Sequence, residues 1–204
     1  MYGAIFDLSW LSLLRSAMAC FFTGTAIKLM DDFIDVPCDR IIGKRTLAAE
    51  LKEAALPYAL AALSLGMTAN PAWAVTLFWA SYSIGMRGDL TRPLSLGLTG
   101  WQEALVLGLP AVLVFGWQEM VTSWAAIFAL QAMDDLRDQR EDQLTGADNW
   151  AARWGTVETA LAAVLAVTIS AYLNLSKFVL VLLTGMVIVI IQESGTRTGG
   201  QACD

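Results

Sequence analysis

The sequence predicts an all-α protein, a polytopic membrane bundle of about seven transmembrane helices with a parallel internal repeat. The first observation is composition: 56% of the 204 residues are hydrophobic, 16% are charged, and the mean hydropathy is +0.56. Soluble domains contain about 45–50% apolar and about 25% charged residues. The second is a series of apolar segments between helix breakers, and the third is an acidic pattern that occurs twice. This length favours a single domain over residues 1–204.

Seven apolar segments follow one another along the chain. They cover residues 8–30, 52–69, 71–87, 94–115, 119–137, 157–174 and 177–192. The breaks between them contain Asn70, Pro71, Pro93, Gly116 and Asn174. Lipid offers peptide groups no hydrogen-bond partner, so segments that cross it are expected to be helices. A span needs about 20 residues, which makes the last two segments short, and residues 193–204 are expected to form a flexible tail.

Lysine and arginine residues predict which side of the membrane each loop faces. They cluster after the first acidic pattern, after the third apolar segment and around the second pattern, at Arg40, Lys44, Arg45, Lys52, Arg87, Arg92, Arg137, Arg140 and Arg153. The opposite turns carry only Lys177. Because cytoplasmic loops are rich in Lys and Arg, both acidic patterns are expected on the cytoplasmic side of the cytoplasmic membrane. Four helices separate them, so the two repeats are expected to be parallel.

One acidic pattern occurs twice, beginning at Met30 and again at Met133, 103 positions later. Both copies read Met-Asp-Asp-x-x-Asp-x-x-x-Asp-x-x-x-Gly, with aspartates at Asp31, Asp32, Asp35 and Asp39, and at Asp134, Asp135, Asp138 and Asp142. Spacings of three and four residues place the last three aspartates of each copy on one helix face. Pro37 disfavours helix at the preceding residue, so Asp39 is expected just beyond the helix end.

Clustered carboxylates among membrane segments indicate a functional site, because ionised groups are costly there. Two like charges 4 Å apart repel by about 4 kcal/mol at an effective dielectric near 20, so the clusters need cations. The chain has no histidine, and oxygen ligands alone suit Mg²⁺ or Ca²⁺. A calcium EF-hand does not fit, since counting from Asp31 its third and twelfth positions are Phe33 and Ile42.

Basic residues near the aspartates indicate a phosphate-bearing partner. Lys28 lies one turn before Asp32. The other basic residues expected on that face include Lys44, Arg45, Arg87, Arg92 and Arg137. Metal ions together with Lys and Arg hold a diphosphate and stabilise the charge of the leaving group. No basic stretch indicates nucleic-acid binding, and the three scattered cysteines form no metal or redox motif.

At these positions the chain resembles the UbiA superfamily of intramembrane prenyltransferases. Residues 31–39 are similar to its first motif, Asn-Asp-x-x-Asp-x-x-x-Asp, and residues 135–142 are similar to its second. Residues 43–47 resemble the basic stretch after the first motif, and residues 82–87 resemble the tyrosine and basic residue before the central loop. Asp31 stands where the family has Asn, and the chain offers fewer helices than the family's members usually have.

The resemblance implies a helical bundle around a cavity that opens sideways to lipid. There two Mg²⁺ ions would hold a prenyl diphosphate, whose ionisation would leave an allylic cation that alkylates a lipophilic, aromatic acceptor. The implied metal ligands are Asp31, Asp32, Asp35, Asp39, Asp135, Asp138 and Asp142. The implied diphosphate-binding residues are Lys28, Lys44, Arg45, Arg87, Arg92 and Arg137. The implied catalytic residues are Asp32, Asp35, Asp135, Asp138 and Tyr82, of which the tyrosine would orient the diphosphate or stabilise the cation.

Two other functions fit the same residues. A membrane terpene cyclase would ionise the diphosphate in the same way and close the chain on itself, with aromatic residues such as Trp79 and Trp124 stabilising the cation. A non-enzymatic protein would bind or transport a divalent cation or a lipid phosphate, and parallel repeats occur among transporters. Because the chain is short for this fold, a second protomer could complete the cavity, which would make the protein a homo-oligomer.

Overall fold

The computed structural model describes residues 2–43, 45–84, 97–145 and 149–199, and no β-strand occurs among them. This confirms the predicted all-α fold class. The elements are α1 (Tyr2–Ile42), α2 (Leu47–Leu51), a 3-10 turn (Lys52–Ala54), α3 (Ala55–Ala69), α4 (Pro71–Ile84), α5 (Gly100–Phe115), α6 (Trp117–Thr145), α7 (Trp150–Trp154) and α8 (Thr156–Gly199).

The predicted apolar segments correspond to the long helices. The last two segments are the two arms of α8, which bends at Asn174, where φ is −157° and ψ is 87°. The short helices α2 and α7 were not predicted, and residues 193–199, expected as a flexible tail, continue α8. The predicted end of the third segment and start of the fourth fall in residues 85–96, outside the described residues.

Helix α1 continues through Pro37 to Ile42. The expectation that Asp39 lies beyond the helix end is therefore wrong. A proline inside a helix removes one backbone hydrogen bond and costs about 3 kcal/mol. The helical turn after the proline is nevertheless packed against the rest of the protein, since Asp39 is only 6% exposed. This tertiary packing outweighs the local preference of Pro37 against helix.

Two helical stretches, Ser9–Pro37 and Thr156–Ile191, are long and apolar enough to cross a membrane. They contain three of the seven predicted segments. Only 22% of the apolar window in each stretch is buried within the chain, so most of its side chains face outward. The shorter α5 is also apolar and exposes a row of large residues, Leu105, Val106, Leu109, Leu113 and Val114. An apolar surface of this extent marks contact with lipid or with another protein.

Small residues allow the helices to approach one another closely. Helix α1 packs mainly against α3, and α6 packs mainly against α8. Ala26 of α1 and Ala59 of α3 are fully buried in the first of these contacts. A Cβ atom at Gly66 would lie 3.3 Å from the carbonyl oxygen of Ala19, so the α1–α3 contact leaves no room for a side chain there. In the second contact, the Ser170 hydroxyl donates to a carbonyl oxygen of α6 at 3.1 Å.

A fully buried lysine joins three helices one turn after the α8 bend. The Lys177 ammonium donates to Glu119 Oε2 at 2.7 Å, to the Glu119 carbonyl oxygen at 3.2 Å and to Thr76 Oγ1 at 3.1 Å. The Ser123 hydroxyl donates to the same Thr76 oxygen at 2.8 Å. All three N–H donors of the ammonium therefore have acceptors, and the network connects α4, α6 and α8.

We expect Glu119→Ala to lower the free energy of unfolding by about 3 kcal/mol, because it leaves the Lys177 ammonium buried without a counter-charge. The figure is at the low end of the range for buried pairs because the Glu119 side chain is 29% exposed. Adding Lys177→Met should restore most of the loss, since no buried charge remains. The measurement is denaturant unfolding of the detergent-solubilised protein.

The matched control for this experiment is Glu53→Ala, which removes an exposed carboxylate and should change stability by less than about 0.5 kcal/mol. An effect of Glu119→Ala as small as that of the control would contradict a stabilising role for the ion pair. Failure of the second substitution to restore stability would show that packing, and not the unpaired charge, causes the loss.

Candidate functional site

Helices α1, α4, α6 and α8 enclose a cavity of about 240 Å³. At one end its walls are apolar, and Cys20, Leu77 and Val181 there belong to one buried cluster. Towards the other end the lining is polar and charged, with Lys28, Asp31, Gln131 and Asp134. Cys20 and Asp31 are eleven residues apart on α1, which corresponds to about 16 Å along a helix. The cavity therefore combines a charged mouth with an apolar interior.

Most of the lining residues fall into pairs 103 or 104 positions apart. On α1 and α6 the pairs are Gly24 and Ile127, Ile27 and Leu130, Lys28 and Gln131, and Asp31 and Asp134. On α4 and α8 they are Leu77 and Val181, and Ser81 and Gly185. The spacing found in the acidic pattern thus applies to the cavity walls as well. The paired residues lie on α1 and α6 and on α4 and α8.

In both acidic helices the side chain one turn earlier binds the second aspartate of the pattern. Lys28 Nζ forms an ion pair with Asp32 Oδ1 at 2.8 Å, and Gln131 Nε2 donates to Asp135 Oδ1 at 3.0 Å. Asp32 and Asp135 are buried, at 4% and 5% exposure. These two carboxylates therefore lie behind the cavity surface, held by residues that themselves line it.

The first aspartates of the pattern, Asp31 and Asp134, line the cavity itself. The positive charge of Lys28 acts on both of them as well as on Asp32. Asp134 and Gln131 were not among the predicted site residues. The 103-residue offset, applied to Asp31 and Lys28, would have identified both.

The short helices α2 and α7 are capped by residues that are also 103 positions apart. Thr46 Oγ1 accepts a hydrogen bond from the backbone N–H of Ala49 at 3.3 Å. Asn149 Oδ1 accepts one from the N–H of Ala152 at 3.0 Å. An N-cap of this kind satisfies a backbone donor at the start of a helix and typically stabilises it by about 1 kcal/mol.

Two aspartates of the second pattern hold α7 against α6. Asp135 Oδ2 accepts from the backbone N–H of Trp150 at 2.7 Å. The Asn149 amide donates to the carbonyl oxygen of Asp135 at 2.8 Å and to Asp142 Oδ2 at 2.7 Å. In the described structure, Asp135 and Asp142 thus hold the start of α7 against α6.

The remaining predicted ligands lie on the same two helices. Asp35 is exposed and Asp39 is buried on α1. Asp138 is half-buried on α6, with the Nε atom of Arg137 3.6 Å from its Oδ1. The Arg137 side chain is 68% exposed.

The structure separates the other predicted residues from the cavity lining or does not describe them. The Tyr82 hydroxyl donates to Glu103 Oε2 of α5 at 2.9 Å, and its ring lies 5.1 Å from that of Trp79. Arg45 is exposed at the start of the segment that leads into α2. The predicted diphosphate-binding residues outside the described ranges are Lys44, Arg87 and Arg92.

Within the described residues, no group of three or more acidic or cysteine side chains is arranged to hold a metal ion on its own. Mg²⁺ commonly takes one or two carboxylates and completes its shell with waters and substrate phosphates. Asp31 and Asp134, on facing helices at the mouth of one cavity, fit that manner of binding. No family model, curated protein or solved structure matches this chain.

We expect Asn149→Ala to destabilise the protein by about 2 kcal/mol, because it removes the α7 cap and both hydrogen bonds to the acidic helix. Asn149→Thr should cost about half as much, since a threonine caps the equivalent helix at Thr46 but lacks the amide donors. Thr46→Ala should cost about 1 kcal/mol, the value of a cap alone. Unfolding free energies of the three variants provide the comparison, and equal losses at Asn149→Thr and Asn149→Ala would contradict a retained cap.

Proposed function

We propose that the protein is a Mg²⁺-dependent intramembrane prenyltransferase that ionises a prenyl diphosphate and transfers the prenyl group to a lipophilic, aromatic acceptor. The observation that carries the proposal is the cavity, with two carboxylates and a lysine at its mouth and apolar walls in its interior. A prenyl diphosphate has the complementary form, because a polyanionic head that needs cations is attached to a hydrocarbon tail. The motif resemblance supports the same substrate class.

The proposal places the chain in a membrane as a bundle of about seven spans built from two parallel repeats. Matching features in the two halves support the repeats: Thr46 and Asn149 cap short helices, and Asn70 and Asn174 both mark bends. Asn70 Oδ1 accepts from a backbone N–H three residues later at 3.3 Å, and Asn174 Oδ1 does the same at 3.0 Å. The outward-facing apolar side chains support the membrane environment.

In the proposed reaction, the C–O bond to the diphosphate breaks with both electrons, and the allylic cation then alkylates the acceptor, which loses a proton. Bound Mg²⁺ would neutralise phosphate charge and stabilise the leaving group. Asp31 and Asp134 would hold the metal ion at the cavity mouth. Lys28 would donate to a phosphate oxygen, where its charge favours diphosphate departure. The apolar walls would keep water away from the cation.

The other predicted residues have supporting roles in this proposal. Asp32 and Asp135 position Lys28 and α7, which are the groups they contact. The motif resemblance predicts Asp32, Asp35 and Asp39 as ligands of one Mg²⁺ and Asp135, Asp138 and Asp142 as ligands of the other. The further predicted diphosphate-binding residues are Lys44, Arg45, Arg87, Arg92 and Arg137, and Tyr82 remains a predicted catalytic residue. A homo-oligomer also remains a prediction.

Two observations favour transfer over the alternatives. None of the described residues that line the cavity is aromatic, whereas a terpene cyclase is expected to surround its cations with aromatic rings. The apolar end of the cavity adjoins the Lys177 ion-pair network, which would obstruct a continuous path for transported cations.

We expect single cysteines at corresponding loops to react from one membrane side only, because parallel repeats return both acidic helices to the same face. Glu53→Cys and Arg153→Cys, at exposed positions near the aspartate ends, should react with a membrane-impermeant maleimide from the cytoplasm. Thr68→Cys and Gln118→Cys, exposed at the opposite helix ends, should react only from the other side. The native cysteines Cys20, Cys38 and Cys203 are replaced in this background. Reaction of the first two variants from opposite sides would rule out the parallel arrangement.

We expect Asp31→Ala and Asp134→Asn each to reduce Mg²⁺-dependent turnover by about 100-fold, because each removes a carboxylate ligand of the Mg²⁺ that would bind the diphosphate. The assay combines detergent-solubilised protein, Mg²⁺ and prenyl diphosphates with and without phenolic acceptors, and thermal unfolding checks that each variant is folded. Glu158→Gln, an exposed change at the start of α8, is the matched control and should retain full activity.

The same assay distinguishes the three functions. Product that requires the acceptor supports transfer, whereas a cyclic hydrocarbon or alcohol formed without acceptor would indicate cyclisation. Tight Mg²⁺ binding without any turnover would favour the non-enzymatic function. Normal turnover in folded Asp134→Asn would contradict the role proposed for the two cavity-facing carboxylates.

A further inference from the structure

The size of the cavity limits what it can hold. We infer that the protein selects a ten-carbon allylic chain, two isoprene units long, over longer chains, and that the wall at Gly185 and the end wall at Val181 set this limit. The inference rests on the proposed function, because it concerns the tail of the substrate whose diphosphate would bind at Asp31 and Asp134.

The depth of the cavity supports a chain of two units. Lys28, at the charged mouth, and Cys20, at the apolar end, are eight residues apart on α1, which corresponds to about 12 Å. Three bonds of an extended backbone span about 3.5 Å, so the four bonds of an isoprene unit span about 4.7 Å. Two units then need about 9 Å and fit, whereas three units need about 14 Å and four need about 19 Å, both more than this depth.

The volume gives an upper limit on the length of the tail. A buried cavity of about 150 Å³ accommodates benzene, which has six carbon atoms and thus takes about 25 Å³ per carbon. The cavity here measures about 240 Å³ including its charged mouth, so by that measure it holds at most about ten carbons.

The apolar end of the cavity is closed by well-packed residues. Leu77 and Val181 belong to the buried cluster there. Leu77 directly follows Thr76, and Val181 lies one turn after Lys177, so the ion-pair network is adjacent to this end wall. A longer tail would have to displace a lysine whose three donors are all bonded. The end wall is therefore expected to resist extension.

Gly185 is the position in the wall where added volume would enter the cavity. A Cβ atom there would meet its nearest neighbour, Leu130 Cδ1, at 3.9 Å, an ordinary contact. At Gly24, in contrast, a Cβ atom would lie 2.7 Å from Ile188 Cδ1, so a substitution would push against the opposite wall. Gly185→Val should thus narrow the usable cavity, since its Cβ atom fits and its methyl groups extend from the wall, and Val181→Ala should lengthen it.

The experiment measures binding of non-ionisable thiolodiphosphate analogues with tails of five, ten, fifteen and twenty carbons to the purified full chain with Mg²⁺. We expect the ten-carbon analogue to bind at least about tenfold more tightly than the twenty-carbon one, since a tail stopped at the end wall prevents the longer analogue from placing its diphosphate at the mouth. Gly185→Val should weaken the ten-carbon analogue at least about tenfold and leave the five-carbon one unchanged. Val181→Ala should shift the preference toward fifteen carbons. Met186→Val, the next residue on the exposed side of α8, is the matched control and should change nothing.

The outcomes separate this inference from the proposed function. Turnover with equal affinity for ten and twenty carbons would overturn the length limit and leave the transferase proposal standing. A ten-carbon preference without turnover would support the length limit and count against catalysis. Absence of binding by every analogue would overturn both. An unchanged length profile in folded Gly185→Val and Val181→Ala would overturn the assignment of the limit to these two walls.

Discussion

Every carboxylate that is buried among apolar helices needs a partner, and this electrostatic constraint organises the structure. Such partnerships in the described structure include Asp32 with Lys28, Asp135 with Gln131 and the Trp150 N–H, Asp142 with Asn149, and Glu119 with Lys177. Each of these contacts also connects two helices or two turns of the same helix. Among the described residues, the acidic ones that line the cavity are Asp31 and Asp134. The same constraint that stabilises the bundle thus determines which acidic groups can meet a ligand.

The charges are separated into two layers with the apolar cavity between them. One layer is the acidic mouth, and the other is the Lys177 network beside the α8 bend. Burying an ion pair is favourable only when its remaining donors and acceptors are bonded, as they are for this ammonium. A cavity bounded in this way can receive a ligand from the mouth and stop it at the far end, which is the behaviour that a head-and-tail substrate requires.

The positions of the long helices could be predicted from the sequence, because apolar length and helix breakers are local signals. The five-residue helices could not, since they depend on caps at Thr46 and Asn149 and, for α7, on hydrogen bonds to another helix. The prediction that Asp39 lies beyond the end of α1 was wrong. It considered the local effect of Pro37 and left out the burial of the following helical turn. Asp134 was not among the predicted ligands because the spacing argument used the last three aspartates of each copy, although the 103-residue offset from Asp31 points to it.

Among the described residues that line the cavity, the pairs 103 or 104 positions apart differ in charge at one place. Lys28 carries a cation where the other half has the neutral amide of Gln131. A cavity with true twofold symmetry would accept a ligand equally in two orientations. The Lys28 and Gln131 pair makes one side of the mouth electropositive relative to the other. The electrostatic field across a bound molecule would therefore be asymmetric. Paired positions therefore form the walls of the cavity, and the pair that differs in charge makes the electrostatic field across it asymmetric.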